Sequence, residues 1–297
     1  MSIAVRVPAS SANLGPGFDC LGLALELHNR VRIAEATVPS VQVSGEGDQD
    51  LRRDPSNLVY RCAAIGYQLS GRPAPAFALE LDNRVPLSRG LGSSSTAIVG
   101  GLLAGAALAG VTLGREELVS RAAEIEGHPD NVAPAVYGGC TVAVMADSVR
   151  VASVPIAREL SALVFVPARR LSTAKARGVL PETVSRADAV FNLGRTALLV
   201  AALWGDRRDL LPVAGEDRLH QEARAALIPA LPAILDGARR AGARLAALSG
   251  AGPSVLALVD QHIGEVSQAM QDAAAANGIT GRVLHLQIER DGAQIEP

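Results

Sequence analysis

Apolar and polar residues alternate along several short segments of this chain, and elsewhere apolar residues recur every three or four positions. Alternation in Ile3–Val7 predicts a first strand, and helical spacing over residues 57–69 predicts a helix. By the same reasoning we predict strands over residues 21–33, 41–43, 77–81, 140–145, 149–154, 162–166, 245–248, 255–259 and 282–288. Further helices are predicted over 97–108, 115–125, 172–179, 186–205, 222–241 and 264–277, and polar loops over 9–17 and 45–56.

The predicted strands and helices are mixed along both halves of the chain, which is typical of an α+β protein with mixed or antiparallel sheets. Residues 155–159 have the composition of a hinge. The chain of 297 residues is long enough for two ordinary domains. We therefore expect an N-terminal domain over residues 1–155 and a C-terminal domain over residues 156–297.

The charge balance excludes one large class of functions. With 28 basic and 30 acidic side chains the formal net charge is −2, whereas a nucleic-acid partner requires a basic surface. The 3 cysteines are scattered and form neither a disulfide framework nor a metal-ligand pair. No apolar run follows Met1, so we predict no signal peptide and expect a cytoplasmic protein. From the charge balance we expect no nucleic-acid partner.

Residues 90–114 contain no charged side chain and are long enough to span a bilayer. The segment is nevertheless rich in glycine and alanine and has few large apolar side chains. It therefore favours a buried helix in a soluble protein over a membrane span.

The strongest chemical motif is Pro86-Leu-Ser-Arg-Gly-Leu-Gly-Ser-Ser-Ser-Thr96, which follows a strand and opens a helix. Its glycines allow close approach of the backbone to a ligand, and a helix N-terminus binds anions. The sequence has one lysine, Lys175, and no glycine-rich stretch precedes it, so a Walker-type loop is excluded. The motif predicts a phosphate site that needs no lysine; a capped glycine turn is the alternative.

Other motifs are weaker when each is taken alone. The segment from Glu124 to Pro134 concentrates hard oxygen ligands of the kind that Mg²⁺ prefers, or it is a solvated helix end. The loop over residues 9–19 suits a small polar ligand or a plain turn. The arginine-bearing segments 172–177 and 216–224 are typical of solvated faces, and residues 248–254 form a turn between two strands that a ligand could approach.

Together these motifs resemble the GHMP superfamily of small-molecule kinases, and within it the homoserine kinases. Residues 11–19 are similar to the N-terminal signature of those enzymes, residues 86–96 to the superfamily ATP loop, and residues 128–134 to the His-x-Asp-Asn-Val-Ala-Pro motif. The resemblance extends from about residue 3 to about residue 290. It implies an N-terminal domain like ribosomal protein S5 domain 2 and a C-terminal ferredoxin-like domain, with the substrates in the cleft between them.

The resemblance implies ATP and Mg²⁺ as cofactors. The backbone of residues 90–96 is expected to hold the triphosphate, and Ser94 and Glu126 to bind the metal, with Glu124 as the alternative carboxylate. The predicted ATP-binding residues are Asn57, Pro86, Leu87, Ser88, Arg89, Gly90, Leu91, Gly92, Ser93, Ser94, Ser95 and Thr96.

For the amino-acid substrate, the resemblance implies that Arg177 and Arg224 bind the carboxylate, because guanidinium groups pair with carboxylates in bidentate fashion. Asp19 is the expected partner of the ammonium group. The other residues that match substrate-binding positions are Asn13, His128, Thr173, Gly250 and Gly252.

The implied reaction is transfer of the γ-phosphoryl group of Mg-ATP to the hydroxyl of L-homoserine, which gives O-phospho-L-homoserine in threonine biosynthesis. Such transfers depend mostly on positioning and charge neutralisation. The predicted catalytic residues are Glu126, Asn131 and Arg177, together with Asp130 as the positional candidate for a base. A homodimer is also implied.

Two other functions compete with this interpretation. A related kinase acting on mevalonate or a similar alcohol would have less use for an acidic residue and two arginines around its substrate. A non-catalytic paralogue that senses a ligand would be expected to have lost a metal ligand or the Gly-Leu-Gly-Ser-Ser sequence, and neither loss is seen.

Overall fold

The computed structural model describes residues 2–296. The strands are β1 (Ser2–Ala12), β2 (Leu21–Ala36), β3 (Ser40–Gly45), β4 (Ala76–Asn83), β5 (Cys140–Val144), β6 (Arg150–Val154), β7 (Ser161–Pro167), β8 (Leu245–Leu248), β9 (Val255–Val259), β10 (Gly281–Leu286) and β11 (Gln294–Glu296). The helices are α1 (Leu58–Gln68), α2 (Ser93–Leu108), α3 (Arg115–Glu126), α4 (Val132–Tyr137), α5 (Thr173–Arg177), α6 (Arg186–Trp204), α7 (Leu211–Ala214), α8 (Gln221–Ala225), α9 (Leu231–Arg240) and α10 (Ile263–Ala276).

Within residues 2–296, the first sheet has seven strands and is built around β2. One side of β2 pairs with β1 along most of its length, and β11 pairs with β1 at the edge. The other side pairs with β5 at residues 21–23 and with β4 at residues 30–36. Only the β3–β4 pair is parallel among those described, because α1 connects these two strands.

Helices α1 and α2 pack closely because glycines line their contact. A Cβ added at Gly101 would lie 2.6 Å from the carbonyl oxygen of Val59, and one at Gly105 would lie 2.0 Å from that of Ala63. The small residues of α2 therefore serve close packing inside the first core. The charge-free segment predicted as a buried helix is confirmed as one, since most of α2 is buried.

The second sheet has the order β10-β7-β9-β8 within the described chain, and all its pairs are antiparallel. Every residue of β7 is buried because both faces of the sheet are covered. One face packs against α9 and α10, and the other meets α6 and the ends of β1 and β2. The two domains therefore share a continuous apolar interface, and the predicted two-domain α+β architecture is confirmed.

The chain returns to the first sheet at its end. Ile288 forms a bridge with Leu25, and β11 pairs with β1. Residues 288–296 therefore belong structurally with the first domain, although the sequence assigned them to the second. The strand predicted over residues 282–288 ends at Leu286 in the structure, and its alternation gave no sign of the crossing.

Two predicted elements are wrong in extent. The helix predicted over residues 222–241 is split into α8 and α9, because Pro229 disfavours helical geometry at the preceding residue and Pro232 begins a new helix. The loop predicted over residues 9–17 is extended up to Ala12, where β1 still pairs with β2 after a register shift between Pro8 and Ala9. Sequence patterns also missed the short helix α4.

One helix among residues 2–296, α6, has the length and hydropathy of a membrane span. Only 22% of the apolar stretch in this helix is buried, and a single helix of this kind is weak evidence for a membrane span. Its buried residues Leu199, Ala202 and Leu203 pack in the core between the domains.

Candidate active site

A cleft of ≈ 390 Å³ opens between the two domains. The first domain contributes the residues before and at the start of α2, and the second contributes α5, α8 and the turn between β8 and β9. Most residues predicted from the sequence line this cleft: Asn13, Asp19, Asn57, Pro86, Leu87, Ser88, Arg89, Gly90, Leu91, Gly92, Ser93, Ser94, Glu126, His128, Asp130, Asn131, Thr173, Arg177, Arg224 and Gly250.

Three predicted residues are not at the cleft surface. Ser95 and Thr96 are fully buried on the inner side of α2, where the Thr96 hydroxyl accepts a hydrogen bond from Asn29 at 2.8 Å. Gly252 is also buried, and a Cβ there would lie 2.7 Å from Ile228. A contiguous motif does not reveal which of its residues face inward.

The glycine-rich loop has a shape that only glycine allows at two positions. Gly90 and Gly92 have φ angles of 72° and 68°. A Cβ at Gly90 would lie 2.1 Å from the carbonyl oxygen of Ser249, and one at Gly92 would lie 2.1 Å from the Ser10 hydroxyl. Because Gly92 caps α2 without a side chain, the first N–H groups of that helix remain available to an anion.

Arg89 anchors this loop to the second domain. Its Nε donates to the carbonyl oxygen of Pro167 at 2.8 Å and its Nη2 to that of Ala168 at 2.8 Å. The backbone N–H of Leu171 donates to the Ser88 carbonyl oxygen at 2.9 Å. The Arg89 guanidinium, predicted to bind ATP, is therefore engaged with backbone carbonyl groups.

The side chain of Asn57 is likewise hydrogen-bonded to backbone groups of the protein. Its Oδ1 accepts from the Val59 N–H at 2.9 Å, which caps α1, and its Nδ2 donates to the Arg52 carbonyl oxygen at 2.7 Å. Asn57 shapes the wall of the cleft beside residues 50–52, which sequence reasoning had treated only as a surface loop.

Ser94 and Glu126 meet at the start of α2. The Ser94 hydroxyl donates to Glu126 Oε2 at 2.7 Å, and the Ser95 hydroxyl donates to Oε1 at 3.2 Å. Glu124 is exposed and does not line the cleft. The structure thus brings together the two predicted metal ligands and leaves the alternative carboxylate outside.

No group of three or more His, Cys, Asp or Glu side chains in the described residues could hold a metal ion. A hydroxyl and a carboxylate at the phosphate loop nevertheless fit Mg²⁺, which commonly takes one or two carboxylates and completes its shell with water and substrate phosphates. The hydroxyl oxygen of Ser94 and the carboxylate oxygens of Glu126 are of the hard type that this ion prefers.

A chain of hydrogen bonds links the residues of the His-x-Asp-Asn motif. His128 Nδ1 lies 2.6 Å from Asp130 Oδ1, and Asn131 Oδ1 accepts from the Ser10 hydroxyl at 3.0 Å. Burial lowers the pKa of His128, but the hydrogen bond and negative charge of Asp130 outweigh it, so the pKa is raised. Asp130 is 3% exposed and is shielded from bulk water by these neighbours.

Asp19 and Arg177 form a bidentate ion pair across the domain boundary. Arg177 Nη1 and Nη2 lie 2.9 Å and 2.7 Å from the two Asp19 oxygens. The Asp19 hydrogen bond raises the pKa of Arg177. Asp19 has a φ of 56°, and Asn13 Oδ1 accepts its backbone N–H at 3.0 Å, so the loop conformation is fixed by a side chain.

Arg224 is a buried cation that makes no salt bridge with any described residue. It is 1% exposed, and burial, together with the charge of Arg177, lowers its pKa to about 10. Its hydrogen bonds go to the carbonyl oxygens of Ala176 and Gly250 and to His220 Nδ1. Unlike the solvated arginines typical of helices, this one is built into the cleft.

Sequence reasoning missed the aromatic support of both arginines. The Phe18 ring centroid lies 5.7 Å from Arg177 Cζ and 5.4 Å from Arg224 Cζ. The spacing of His220 and Arg224 by four positions was a signal of contact on one helix face. Thr173, at the start of α5, lines the cleft on the same side.

Comparison with known proteins places this architecture in a family. The model of the GHMP kinases N terminal domain matches residues 57–139, and that of the GHMP kinases C terminal matches residues 198–276. These matches confirm the two-domain GHMP kinase fold that the motifs predicted.

Relatives align over nearly the whole chain. A homoserine kinase from Desulfitobacterium hafniense is 48% identical over 295 residues and covers 99% of each chain. One from Nostoc punctiforme is 43% identical and covers 99% of this chain and 98% of that relative. A crystal structure of homoserine kinase from Cytophaga hutchinsonii has a TM-score of 0.90 at 30% identity, covering 99% of this chain and 97% of that one. The chain therefore belongs to the homoserine kinases within the GHMP kinase family.

Proposed function

We propose that this protein transfers the γ-phosphoryl group of Mg-ATP to the side-chain hydroxyl of L-homoserine and releases O-phospho-L-homoserine and ADP. One observation carries the proposal: a single cleft holds a glycine-rich helix N-terminus and a constellation of Asp19, Arg177 and Arg224. The full-length similarity to homoserine kinases supports the same reaction. A mevalonate-type substrate has no amine to match Asp19, and an inactive sensor has no need of the intact Ser94–Glu126 pair.

The nucleotide binds with its phosphates at the loop of residues 88–94. The uncapped N–H groups at the start of α2 bind phosphate oxygens, and the positive end of the helix dipole favours their charge. Residues 50–52 and 56–58 form the wall on the adenosine side. Arg89 keeps the loop at a fixed distance from the second domain through its bonds to Pro167 and Ala168.

Ser94 and Glu126 would hold Mg²⁺, and the bound ion would supply positive charge to the triphosphate. Glu126 brings the negative charge that attracts the ion, and Ser94 and Ser95 fix the orientation of its carboxylate through two hydrogen bonds.

The amino-acid substrate binds as a zwitterion. Its carboxylate pairs with Arg224 and Arg177, and its ammonium pairs with Asp19. Arg224 needs this anion most, because a buried cation without a carboxylate partner is costly. Asp19 and Arg177 already form an ion pair, so the ammonium and the carboxylate of a zwitterion each find a group of opposite charge there.

Transfer proceeds when the substrate hydroxyl oxygen forms a bond to the γ-phosphorus and the bond from that phosphorus to the β-bridging oxygen breaks. Asn131 orients the hydroxyl, since Ser10 fixes its amide. The hydroxyl proton leaves late, because the transition state is loose, and Asp130, which is hydrogen-bonded to His128, is the carboxylate of the motif that would accept it.

A coupled ADP-release assay tests the proposal with Mg-ATP and L-homoserine, L-serine, L-threonine, mevalonate or galactose. We expect release with homoserine well above the other alcohols. Release with another alcohol alone contradicts the substrate and leaves the kinase reaction. ATP binding without release for any alcohol contradicts the enzymatic proposal and favours a sensor.

We further propose that the protein is a cytoplasmic homodimer without a nucleic-acid or membrane partner. The exposed apolar side chains of α6, Leu193 at 70% and Trp204 at 65% exposure, support a surface that a second copy covers. Sedimentation velocity of the protein and of Leu193→Glu tests this: a dimer that dissociates in the variant is expected, and a monomeric parent protein contradicts it.

A further inference from the structure

His220 is a fully buried histidine next to the cleft that the reaction does not use directly. It is 1% exposed and occupies the residue before α8, four residues before Arg224. Its Nε2 lies 2.8 Å from the Gly15 carbonyl oxygen, and its Nδ1 lies 3.1 Å from Arg224 Nη1. Both ring nitrogens are therefore engaged by the walls of the proposed substrate site.

These two partners fix the protonation state of the ring. The Gly15 carbonyl oxygen only accepts hydrogen bonds, so Nε2 must carry a hydrogen. Arg224 only donates, so Nδ1 must be an unprotonated acceptor. Burial lowers the pKa of His220, and the charge of Arg224 lowers it further, against the opposing effect of Asp217. The ring is thus neutral with its hydrogen on Nε2.

Arg224 is held by three acceptors that together define the plane of its guanidinium. Ala176 accepts from Nε at 3.2 Å and Gly250 accepts from Nη1 at 3.1 Å, while His220 accepts from the same Nη1. None of these bonds uses Nη2. The guanidinium is thereby oriented with part of its donor set left for a ligand in the cleft.

Phe18 connects this arrangement to the other arginine. Its ring centroid lies 5.3 Å from that of His220, and both Arg177 and Arg224 lie over the same ring. The Phe18 ring therefore packs against the imidazole and against both guanidinium groups.

We infer that His220 is a positioning residue for substrate recognition: as a fixed neutral acceptor it orients Arg224 toward the substrate carboxylate. This inference rests on the proposed function, in which Arg224 binds that carboxylate. It assigns His220 no contact with the reacting atoms, so its loss changes carboxylate recognition and leaves the transfer step and ATP binding unaffected.

Two amide substitutions test the two hydrogen bonds of the ring one at a time. His220→Asn keeps an acceptor near the position of Nδ1, whereas His220→Gln keeps a donor near the position of Nε2 and loses the acceptor for Arg224. We expect His220→Gln to raise KM for homoserine by about tenfold to 10²-fold, because small displacements of a binding group cost that much. His220→Asn is expected to stay close to the parent protein, with kcat and KM for ATP unchanged in both. Glu222→Gln, exposed on the same helix, is the matched control.

A second substrate distinguishes positioning from a general structural role. The amino alcohol 3-aminopropan-1-ol is homoserine without its carboxylate. We expect kcat/KM for it to be equal in the parent protein and in His220→Gln, since Arg224 has nothing to bind in either case. An equal loss for both substrates, an increase in KM for ATP, or an Asn variant as weak as the Gln variant overturns the inference.

Nitrogen-15 NMR of the histidines in the unmodified protein covers the case in which a variant does not fold. The expected signal for His220 is the neutral ring with hydrogen on Nε2 at neutral pH; a cationic ring or hydrogen on Nδ1 overturns the inference. If the unmodified protein releases no ADP with homoserine, the proposed function fails, whereas normal activity with an unaffected Gln variant refutes only the role of His220.

Discussion

The two sides of the cleft are built from different kinds of chemical group. The proposed phosphate-binding part of the nucleotide side is one contiguous segment, residues 86–94, that presents backbone N–H groups and small side chains at the start of α2. The amino-acid side is assembled from charged side chains that are far apart in sequence: Asp19 and Arg177, which form an ion pair, are separated by 158 positions.

This difference determines what each side tolerates. A site made of backbone N–H groups depends on the absence of a Cβ at Gly90 and Gly92, and its carboxylate, Glu126, meets the Ser94 hydroxyl at the start of α2. A site made of side chains depends on their charge and on the neighbours that orient them. Substitutions on the two sides should therefore change different kinetic parameters.

The largest effect is expected for Glu126→Gln, which removes the charge of the nucleotide side and keeps its shape. We expect kcat to fall about 10³-fold, or about 4 kcal/mol of transition-state stabilisation, with KM for homoserine unchanged. Steady-state ADP release measures it. The control is Glu124→Gln, whose exposed carboxyl lies outside the cleft. Full activity of Glu126→Gln together with loss of activity in Glu124→Gln would assign the metal to Glu124.

Arg177→Ala tests the amino-acid side. We expect kcat/KM for homoserine to fall about 10²-fold, or about 2.7 kcal/mol, which lies in the range for a charged hydrogen bond. ATP affinity, measured by calorimetry, should be unchanged because Arg177 pairs with Asp19 on the amino-acid side of the cleft. Lys175→Ala on the exposed face of the same helix is the control. A parallel loss of ATP affinity would mean that the residue holds the structure.

Gly92→Ala tests the nucleotide side, which is built from backbone groups. Its positive φ and the overlap of a Cβ with Ser10 should destabilise the protein by about 2 kcal/mol and raise KM for ATP more than KM for homoserine. Urea unfolding and steady-state kinetics measure the two effects. Gly194→Ala, in α6 with no atom within 4 Å of the new Cβ, should instead stabilise by about 0.5–1 kcal/mol. Equal stability of the two variants would contradict this account.

The smallest effect is a pH dependence of stability from His128. Its pKa in the folded protein is raised above the usual 6.5 by Asp130. A raised pKa stabilises the protonated form, so this contribution is full below pH 6.5 and is lost as pH rises through the folded-state pKa. Urea unfolding between about pH 5.5 and 8.5 should show a decline of about 1 kcal/mol relative to His128→Asn, typical of one net hydrogen bond. Identical pH profiles would refute the pair.

Some features of the site were predictable from sequence because they are local. Residues 77–96 form a strand, a glycine turn and a helix start, and each of these is specified by neighbouring residues. The same local reasoning failed over residues 222–241, where Pro229 and Pro232 interrupt the helical pattern. It also missed His220 as a site residue, since its spacing from Arg224 indicates contact on a helix but does not show that both side chains are buried beside the cleft.

Burial decided several assignments that the motif alone left open. Glu124 and Glu126 differ by two positions, and only the fold shows that Glu126 meets Ser94 at 2.7 Å. Thr96 and Gly252 belong to motifs but are buried. A helix presents successive residues at different angles, so membership in a contiguous motif does not determine which side chain faces the cleft.

The sequence by itself determined the two-domain α+β class, the glycine-rich loop before a helix and the family, because these depend on hydrophobic periodicity and on short contiguous motifs. Only the tertiary structure decided that Asp19 pairs with Arg177, that Arg224 is buried beside His220, and that residues 288–296 return to the first sheet. Those contacts join segments far apart along the chain, and their energies depend on burial and distance, which no local pattern of residues records.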